Sequence, residues 1–285
     1  MPHSQSLIPI KHIHSYLIQA KELFNIIWVY HQPRSAIKFT RLFMTNYCIA
    51  TIMLFSILSN STYSADSIIA GNFSNQKTNT ITPAGWHPLN FDSIDNKTAY
   101  FLTRDNDKVI YKAVSHASAS GVINKLSINP RDYPILTWQW KIDNIITKAD
   151  INSKDGDDYP ARIYITFEYD VERLTGLESF KVELYKSIHG EYPPLAVLNY
   201  VWDNVQPIGY TTDNAYTKRV QMIVSQSGKK DIGKWVKERV NVYDDYQRVF
   251  GEMPMKITAV AIMTDTDNTG ESATAYYGDI TFSKQ

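Results

Sequence analysis

The chain has 285 residues, of which 44% are hydrophobic, so it is long enough to bury the core of one large domain. Basic and acidic residues number 29 each, but residues 1–64 hold five of the basic and one of the acidic residues, which leaves 24 basic and 28 acidic residues beyond. A mildly acidic body argues against nucleic-acid binding, because phosphate contacts need clustered lysine and arginine.

The N-terminal part contains a charge-free segment between Arg41 and Asp66, with an apolar centre at Cys48–Leu58. Basic residues precede this centre and small residues follow it, which is typical of a secretory signal peptide and predicts one at 44–65. The protein is therefore expected to be periplasmic or secreted. A membrane anchor is the alternative, because an uncharged stretch of this length can also span a bilayer. Residues 1–43 are either an extension ahead of the signal or the result of a start codon assigned too early.

Beyond the apolar segment, the sequence contains few motifs that indicate catalysis. Cys48 is the one cysteine and lies inside the apolar segment, so a mature chain without it has no disulfide, thiolate nucleophile or cysteine-ligated zinc. The histidines of the body, His87, His116 and His189, each stand alone in sequence. No glycine-rich phosphate loop is present. These motifs therefore assign no catalytic or nucleotide-binding site.

The body is predicted to be a β domain at 84–285, preceded at 66–83 by a linker or irregular lead-in rich in asparagine, serine and threonine. The small-residue run at 115–121 and the prolines that follow it are expected to form a connection. Strands are predicted from short β-prone runs bounded by turn residues at Thr98–Leu102, Val109–Val114, Leu136–Ile142, Arg162–Tyr169, Val197–Trp202, Arg219–Ser225 and Trp235–Val242.

Two of these strands alternate between apolar and polar residues. In the strand Leu136–Ile142, Trp138 and Trp140 share a face with apolar neighbours, which favours core packing over sugar stacking, while Gln139 and Lys141 project from the other face. The strand Arg162–Tyr169 has a wholly apolar face. Its opposite face carries Arg162, Tyr164, Thr166 and Glu168.

The polar faces of these two strands predict a ligand-binding surface. An aromatic ring can stack on a pyranose while planar amide, carboxylate and guanidinium groups reach its hydroxyls. We therefore expect Arg162, Tyr164, Glu168, Gln139 and Lys141 to belong to one exposed sheet face that binds a glycan, with Asp158 of the preceding acidic loop beside it. The alternatives are that these are ordinary solvated strand residues and that the loop at 154–158 is an ordinary turn.

One helix is predicted, at 242–250, from apolar residues at helical spacing, acidic residues in its first turn and Gly251 after its last. The stretch 172–194 is expected to be irregular. The end of the chain, Thr258–Phe282, is predicted to be a hairpin whose two runs flank the acidic loop 265–271. No long amphipathic helix is predicted.

The acidic loop predicts a calcium site built from Asp265, Asp267 and Glu271, because a hard cation prefers several carboxylate and carbonyl oxygens. The loop is not an EF-hand. The twelfth position counted from Asp265 is Tyr276, where that motif needs a bidentate glutamate. The alternative interpretation is a solvated acidic turn.

Four segments carry a resemblance to a known family: G-D-D-Y-P-A-R-I-Y at 156–164, L-N-Y-V-W at 198–202, E-R-V-N-V-Y-D-D-Y at 238–246, and M-T-D-T-D-N-T-G-E-S-A-T-A-Y-Y-G-D-I at 263–280. From Trp86 to the C-terminus the chain resembles the exported bacterial family known as domain of unknown function 3047. That family has no established activity, so the resemblance implies no catalytic residue. The closing Y-G-D-I also resembles the last strand of jelly-roll carbohydrate-binding modules.

These observations together predict an all-β, mainly antiparallel β-sandwich of jelly-roll type with one short helix. Glycan binding on a sheet face is the leading functional hypothesis, with a polysaccharide or glycan as partner and no nucleic acid, and with no membrane once the signal is removed. A glycan-cleaving hydrolase or lyase is a second hypothesis, using paired carboxylates from Asp158, Glu168, Asp265 or Asp267. A structural protein of the cell envelope is a third.

Overall fold

A computed structural model describes residues 66–78, 81–189 and 193–285. Two sheets of seven strands each form the body. The strands of the first sheet are β1 (Ser67–Gly71), β3 (Ala99–Asp105), β4 (Lys108–His116), β6 (Ile135–Ile142), β11 (Val236–Asn241), β13 (Ser272–Tyr277) and β14 (Ile280–Ser283). Those of the second are β2 (Trp86–Leu89), β5 (Gly121–Ile128), β7 (Arg162–Phe167), β8 (Val197–Asp203), β9 (Thr211–Asp213), β10 (Val220–Ser227) and β12 (Ile257–Met263).

Pairing in both sheets is antiparallel, apart from the parallel pair β8 and β10. The second sheet has the order β2-β5-β12-β7-β8-β10-β9. In the first sheet, β6 lies at the centre: β11 pairs with it, and β13 and β14 each pair with it as well. Beyond β13 the sheet continues through β4 to β3, and beyond β14 it continues to β1.

The apolar faces of the two sheets pack together and form the core. Trp138 of β6 lies 5.4 Å from Tyr200 of β8, and Trp140 lies 6.0 Å from Trp202, measured between ring centroids. Both β6 tryptophans are buried, which confirms the sequence prediction of core packing. Burying each of these large side chains stabilises the fold by about 1.5–3 kcal/mol. The predicted antiparallel β-sandwich is therefore confirmed.

The predicted terminal hairpin is wrong, although both of its strands exist. β12 lies in the second sheet and β13 in the first, so the acidic loop between them passes from one sheet to the other. Alternation shows which residues share a face of a strand, whereas the choice of partner strand depends on long-range packing. The loop at 264–271 consequently lies at one end of the sandwich, where it contacts both sheets.

Two α-helices are present among the described residues, one more than predicted. Helix α2, Val242–Phe250, was expected: the Asn241 side chain accepts hydrogen bonds from two backbone N–H groups of the first turn, and Gly251 ends the helix at a φ of 72°. Helix α1, Gly176–His189, lies in the stretch predicted to be irregular. Leu177 and Phe180 of α1 are exposed, so the helix lacks the continuous buried stripe that would have indicated it.

Parts of the lead-in and of the predicted connections are also ordered as strands. β1 lies inside the predicted linker 66–83 and pairs with β14, and β2, β5 and β9 occur where no strand is predicted from sequence. The predicted signal segment 44–65 and the extension 1–43 lie outside the described residues. Within the described ranges, no helix combines the length and apolar character needed to cross a membrane.

Candidate functional site

The predicted ligand-binding residues divide between two surfaces. Gln139 and Lys141 lie on β6 and project from the outer face of the first sheet, because Trp138, Trp140 and Ile142 occupy the core side. Arg162 and Tyr164 lie on β7 and project from the outer face of the second sheet. The expectation of one shared face is therefore wrong, because the two strands with matching alternation belong to opposite layers of the sandwich.

A row of aromatic and lysine side chains crosses the outer face of the first sheet. Phe101 is opposite Lys112, Lys112 is opposite Tyr276, and Tyr276 is opposite Lys141, each on the neighbouring strand. Trp235, just before β11, takes the next position, since Val236 pairs with Trp140. We call these five residues the transverse row. It runs perpendicular to the strands, which lie about 4.8 Å apart.

Rings and ammonium groups alternate along the transverse row and contact each other. Lys141 Nζ lies 4.4 Å from the ring centroid of Tyr276 and 5.2 Å from that of Trp235. Lys112 Nζ lies 5.2 Å from the centroid of Tyr276 and 5.9 Å from that of Phe101. Cation–π contacts of this length fix the positions of both ammonium groups on the outer face of the sheet. Phe101, at the end of the row, is 37% exposed.

The tip of the β3–β4 hairpin reaches one end of the transverse row. Asp105 Oδ2 accepts hydrogen bonds from Lys141 Nζ at 2.6 Å and from Trp235 Nε1 at 2.7 Å. These two hydrogen bonds, with that from Lys141 the stronger cause, hold the pKa of Asp105 below its usual range. A cleft opens beside this contact, and its lining consists of Asp105, Asn106, Asp107, Lys108, Ile110, Gln139 and Trp235.

Two further contacts fix the polar groups of this surface. Tyr276 donates its hydroxyl to Asp143 Oδ2 at 2.8 Å, and burial, followed by this hydrogen bond, raises the pKa of Tyr276 to about 12. The tyrosine therefore stays a neutral donor at physiological pH. Gln139 lies against the backbone of Gly278, where a Cβ would stand 2.4 Å from Gln139 Cγ. Only glycine at position 278 leaves room for this side chain.

On the second sheet, the predicted exposed face is covered, and Arg162 is only 3% exposed. Ile151 and Tyr159, from the segment before β7, pack with Val201 and Met222 on the outer side of β8 and β10. This covering segment excludes solvent from the end of β7 that carries Arg162. Alternation of polar and apolar residues therefore does not predict which side of β7 is exposed, because the covering segment adds a second apolar layer outside the sheet.

Arg162 is held by carboxylates and rings. Its Nη2 forms an ion pair with Asp265, and its Nη1 lies 3.7 Å from Asp157 Oδ1. The guanidinium carbon lies 5.0 Å from the ring centroid of Tyr159 and 5.4 Å from that of Tyr164. This arrangement is that of a buried structural ion pair. Glu168, by contrast, is exposed beyond the opposite end of β7, so it lies apart from Arg162.

The acidic loop forms a carboxylate cluster, with one change from the predicted ligand set. Asp158, Asp265 and Asp267 each place an oxygen within 4.8 Å of the others. Glu271 points elsewhere and accepts hydrogen bonds from the backbone N–H groups of Thr147 and Lys148 at 3.1 and 2.8 Å. The structure thus substitutes Asp158 for Glu271 in the predicted calcium site.

The carboxylate cluster fits a hard cation in its donors and its charge. Asp157 adds a fourth carboxylate, whereas Arg162 is the cation in contact with the cluster, so negative charge remains to be balanced. Burial, followed by repulsion from Asp158, raises the pKa of Asp267. A calcium ion held by Asp158, Asp265 and Asp267 would tie the loop 264–271 to the segment before β7.

One of the four carboxylates predicted for a hydrolase lies away from this cluster. Asp158 and Asp265 are buried, and Asp158 accepts hydrogen bonds from the backbone N–H groups of Asn268 and Thr269 at 3.3 and 2.7 Å. Glu168 lies beyond the other end of a six-residue strand, about 20 Å away at the usual rise per residue. That separation exceeds what paired glycosidase carboxylates use.

Sequence reasoning named Lys141 as a site residue but missed the other four residues of the transverse row: Phe101, Lys112, Trp235 and Tyr276. Each is an outward residue of a strand whose existence was predicted, and alternation of Tyr276 with Ala275 and Tyr277 was readable in the sequence. Their alignment depends on the registers of strands far apart in the chain. Trp235 was placed at the start of a predicted strand, but its contact with Asp105 has no sequence signal.

Comparison with known families identifies a match over most of the chain. The family described as "Protein of unknown function (DUF3047)" matches residues 84–281. No curated protein matches the chain.

Several solved structures share the general architecture at low identity. One is the family 11 carbohydrate-binding module of the cellulosomal cellulase Lic26A-Cel5E of Clostridium thermocellum, with 7% identity, 78% of this chain and 96% of that chain covered, and a TM-score of 0.39. Another is the Emp47p carbohydrate recognition domain, with 10% identity, coverage of 79% and 99%, and a TM-score of 0.39. A third is the cellulose-specific module CBM28, with 10% identity, coverage of 77% and 93%, and a TM-score of 0.33. Likenesses at these scores carry no argument about function.

Proposed function

Because the chain belongs to the DUF3047 family, whose members have no established activity, we propose a function from the site itself: the protein binds a glycan on the outer face of its first sheet. The observation that carries this proposal is the transverse row. It places three aromatic rings and two lysines in register across five neighbouring strands, next to a polar cleft.

The chemistry of the row suits a sugar chain. Rings offer apolar surface to the C–H groups of a pyranose, while lysine, glutamine and aspartate offer donors and acceptors to its hydroxyls. Lys141, Tyr276 and Asp105 are already fixed by mutual contacts, so little side-chain entropy is lost on binding. Because the row runs perpendicular to the strands, an extended sugar chain laid along it would meet the rings of Trp235, Tyr276 and Phe101 in turn.

The proposal includes an extracytoplasmic location. A signal peptide at 44–65, predicted from the charge-free apolar segment, would place the β-sandwich in the periplasm or outside the cell, where polysaccharides are found. N-terminal sequencing of the exported protein tests this part. A start near Ala65 or Asp66 supports it, and a detergent-extracted protein that retains residues 42–64 contradicts it.

Glycan retention by purified protein and variants tests the binding function. Phe101→Ala removes the most exposed ring of the row, and we expect a loss of glycan affinity of about tenfold or more with little change in stability, since exposed substitutions usually cost about 0.5 kcal/mol or less. Phe180→Ala on α1 is the matched control, because that ring is 65% exposed and lies on another element. Glycan retention by Phe101→Ala equal to that by Phe180→Ala would contradict the proposal.

A further inference from the structure

The outer face of the first sheet is cationic, although the body of the protein carries more acidic than basic residues. The strand registers place the following basic residues on this face: Lys108, Lys112, Lys141, Lys237 and Arg239. Fewer carboxylates lie on or beside this face: Asp105 at the end of β3, Asp107 in the following turn and Asp143 just after β6. A local excess of positive charge on an acidic body indicates a surface selected for an anionic ligand.

Lys108 lies in the hairpin next to Asp105 and Asp107, and of the other four cations three remain available to a ligand. Lys141 is engaged by Asp105 at 2.6 Å and its side chain is only 14% exposed. Lys112 has ring contacts with Phe101 and Tyr276, but within the described residues no carboxylate lies within ion-pairing distance of it. Lys237 and Arg239 are exposed and lie opposite Gln139 and Thr137 on β6.

These cations lie on opposite sides of the sheet face, and Lys237 and Arg239 also lie off the transverse row, two and four residues along β11 from Trp235. Lys112 lies on β4, and Lys237 and Arg239 lie on β11, on the far side of β13 and β6. At about 4.8 Å per strand, β11 lies roughly 14 Å from Lys112 across the sheet, and at about 3.3 Å per residue Lys237 and Arg239 lie roughly 7 and 13 Å along it from the row. An extended glycan that crosses the strands would span both groups, whereas a small anion would reach only one.

From this charge distribution we propose that the ligand is an anionic glycan, whose carboxylate or sulfate groups bind Lys112 at one end of the site and Lys237 with Arg239 at the other. The inference rests on the proposed glycan-binding function and names its substrate class. The interleaved rings favour a sugar chain over other polyanions, because they supply apolar contact between the charges.

The test compares the same oligosaccharide with and without its charged carboxyl groups. Polymannuronate oligosaccharides and the same oligosaccharides after reduction of their carboxyl groups are titrated into the purified protein by calorimetry. We expect the charged form to bind at least tenfold more tightly, with an affinity that falls as salt rises. A sulfated glycan forms a second arm, and its binding in place of the uronate supports the inference with sulfate as the anionic group.

Variants of the protein localise the effect. Lys112→Met keeps the alkyl length and removes the charge. It should lower the affinity for the charged oligosaccharide at least fivefold and leave the affinity for the reduced oligosaccharide unchanged. Lys181→Met, on exposed α1, is the control and should change neither affinity.

The outcomes separate the inference from the function on which it rests. Equal binding of charged and reduced oligosaccharides through the row would overturn the anionic specificity and leave glycan binding intact. Binding of no neutral or acidic glycan would overturn both. Single-stranded DNA bound as tightly as the uronate, with the same dependence on Lys112, would show a general polyanion surface and would overturn the assignment to a glycan.

Discussion

The ammonium group of Lys141 lies 4.4 Å from the centre of the Tyr276 ring, and the two residues face each other in register on neighbouring strands of the first sheet. Asp105 and Trp235 complete this arrangement from the hairpin tip and from the start of β11. Four segments that are distant in sequence thus meet at one half-buried position on the outer face of the sheet.

The first prediction concerns the ion pair of Asp105. Its folded-state pKa is lowered, so the stabilisation is present above the unfolded value of about 3.9 and is lost as pH falls through the folded value. Asp105→Asn should therefore cost about 1 kcal/mol at pH 7, because the pair is partly shielded from solvent while the amide oxygen can still accept from Trp235 Nε1. The difference in free energy of unfolding between parent and variant, measured by urea titration, should shrink towards pH 3. A difference independent of pH would contradict this account.

The second prediction concerns Gly278. Gly278→Ala places a Cβ 2.4 Å from Gln139 Cγ, so the glutamine must leave its position over the cleft. We expect a cost of about 1–3 kcal/mol, typical of overpacking, measured by thermal or urea unfolding. The double variant Gly278→Ala with Gln139→Ala should recover most of that loss. Additive costs in this cycle would show that the two residues are not coupled.

The third prediction concerns Arg162. Sequence analysis placed Arg162 on an exposed sheet face, but it is buried and paired with Asp265. Arg162→Met leaves buried carboxylates without their cation and should destabilise the fold by about 3–5 kcal/mol. Arg162→Met combined with Asp265→Leu should be closer to the parent than Arg162→Met alone. A change under 1 kcal/mol in the single variant would mean that the pair contributes little.

The fourth prediction concerns calcium binding by the carboxylate cluster, in which Asp158 takes the place of Glu271. Calcium should raise the unfolding temperature relative to chelator, because a ligand of the folded state stabilises it by mass action. Asp267→Asn should remove the effect, whereas Glu271→Gln should retain it, because Glu271 binds the backbone of 147 and 148. Identical melting curves of the parent protein in calcium and in chelator would contradict the calcium site.

The calcium effect should also depend on pH in a defined direction. Burial raises the folded-state pKa values of Asp157 and Asp267, so in chelator the free energy of unfolding falls as pH rises from about 4 through the raised values. Calcium needs the ionised carboxylates, so its binding strengthens over the same range. The separation between calcium and chelator curves should therefore widen with pH, and a separation that narrows would contradict the proposed ligands.

Sequence reasoning succeeded where local pattern decides structure. Alternation placed Trp138 and Trp140 in the core, and the capping residues around 242–250 indicated α2. It failed where distant segments decide the outcome. The burial of Arg162 depends on a covering segment that packs on β8 and β10, and the transverse row depends on the registers of five strands. Neither is encoded in the spacing of any one segment.

The central claim is that ligand binds the first sheet, and an NMR titration tests it most directly. The indole N–H of Trp235, which donates to Asp105, and the backbone amides of Phe101, Lys112, Lys141 and Tyr276 should shift on addition of an acidic oligosaccharide. The amides of Tyr164 and Glu168, on the second sheet, should not move. Shifts confined to Tyr164, Glu168 and their neighbours, with the row unchanged, would contradict the account and place binding on the opposite face of the sandwich.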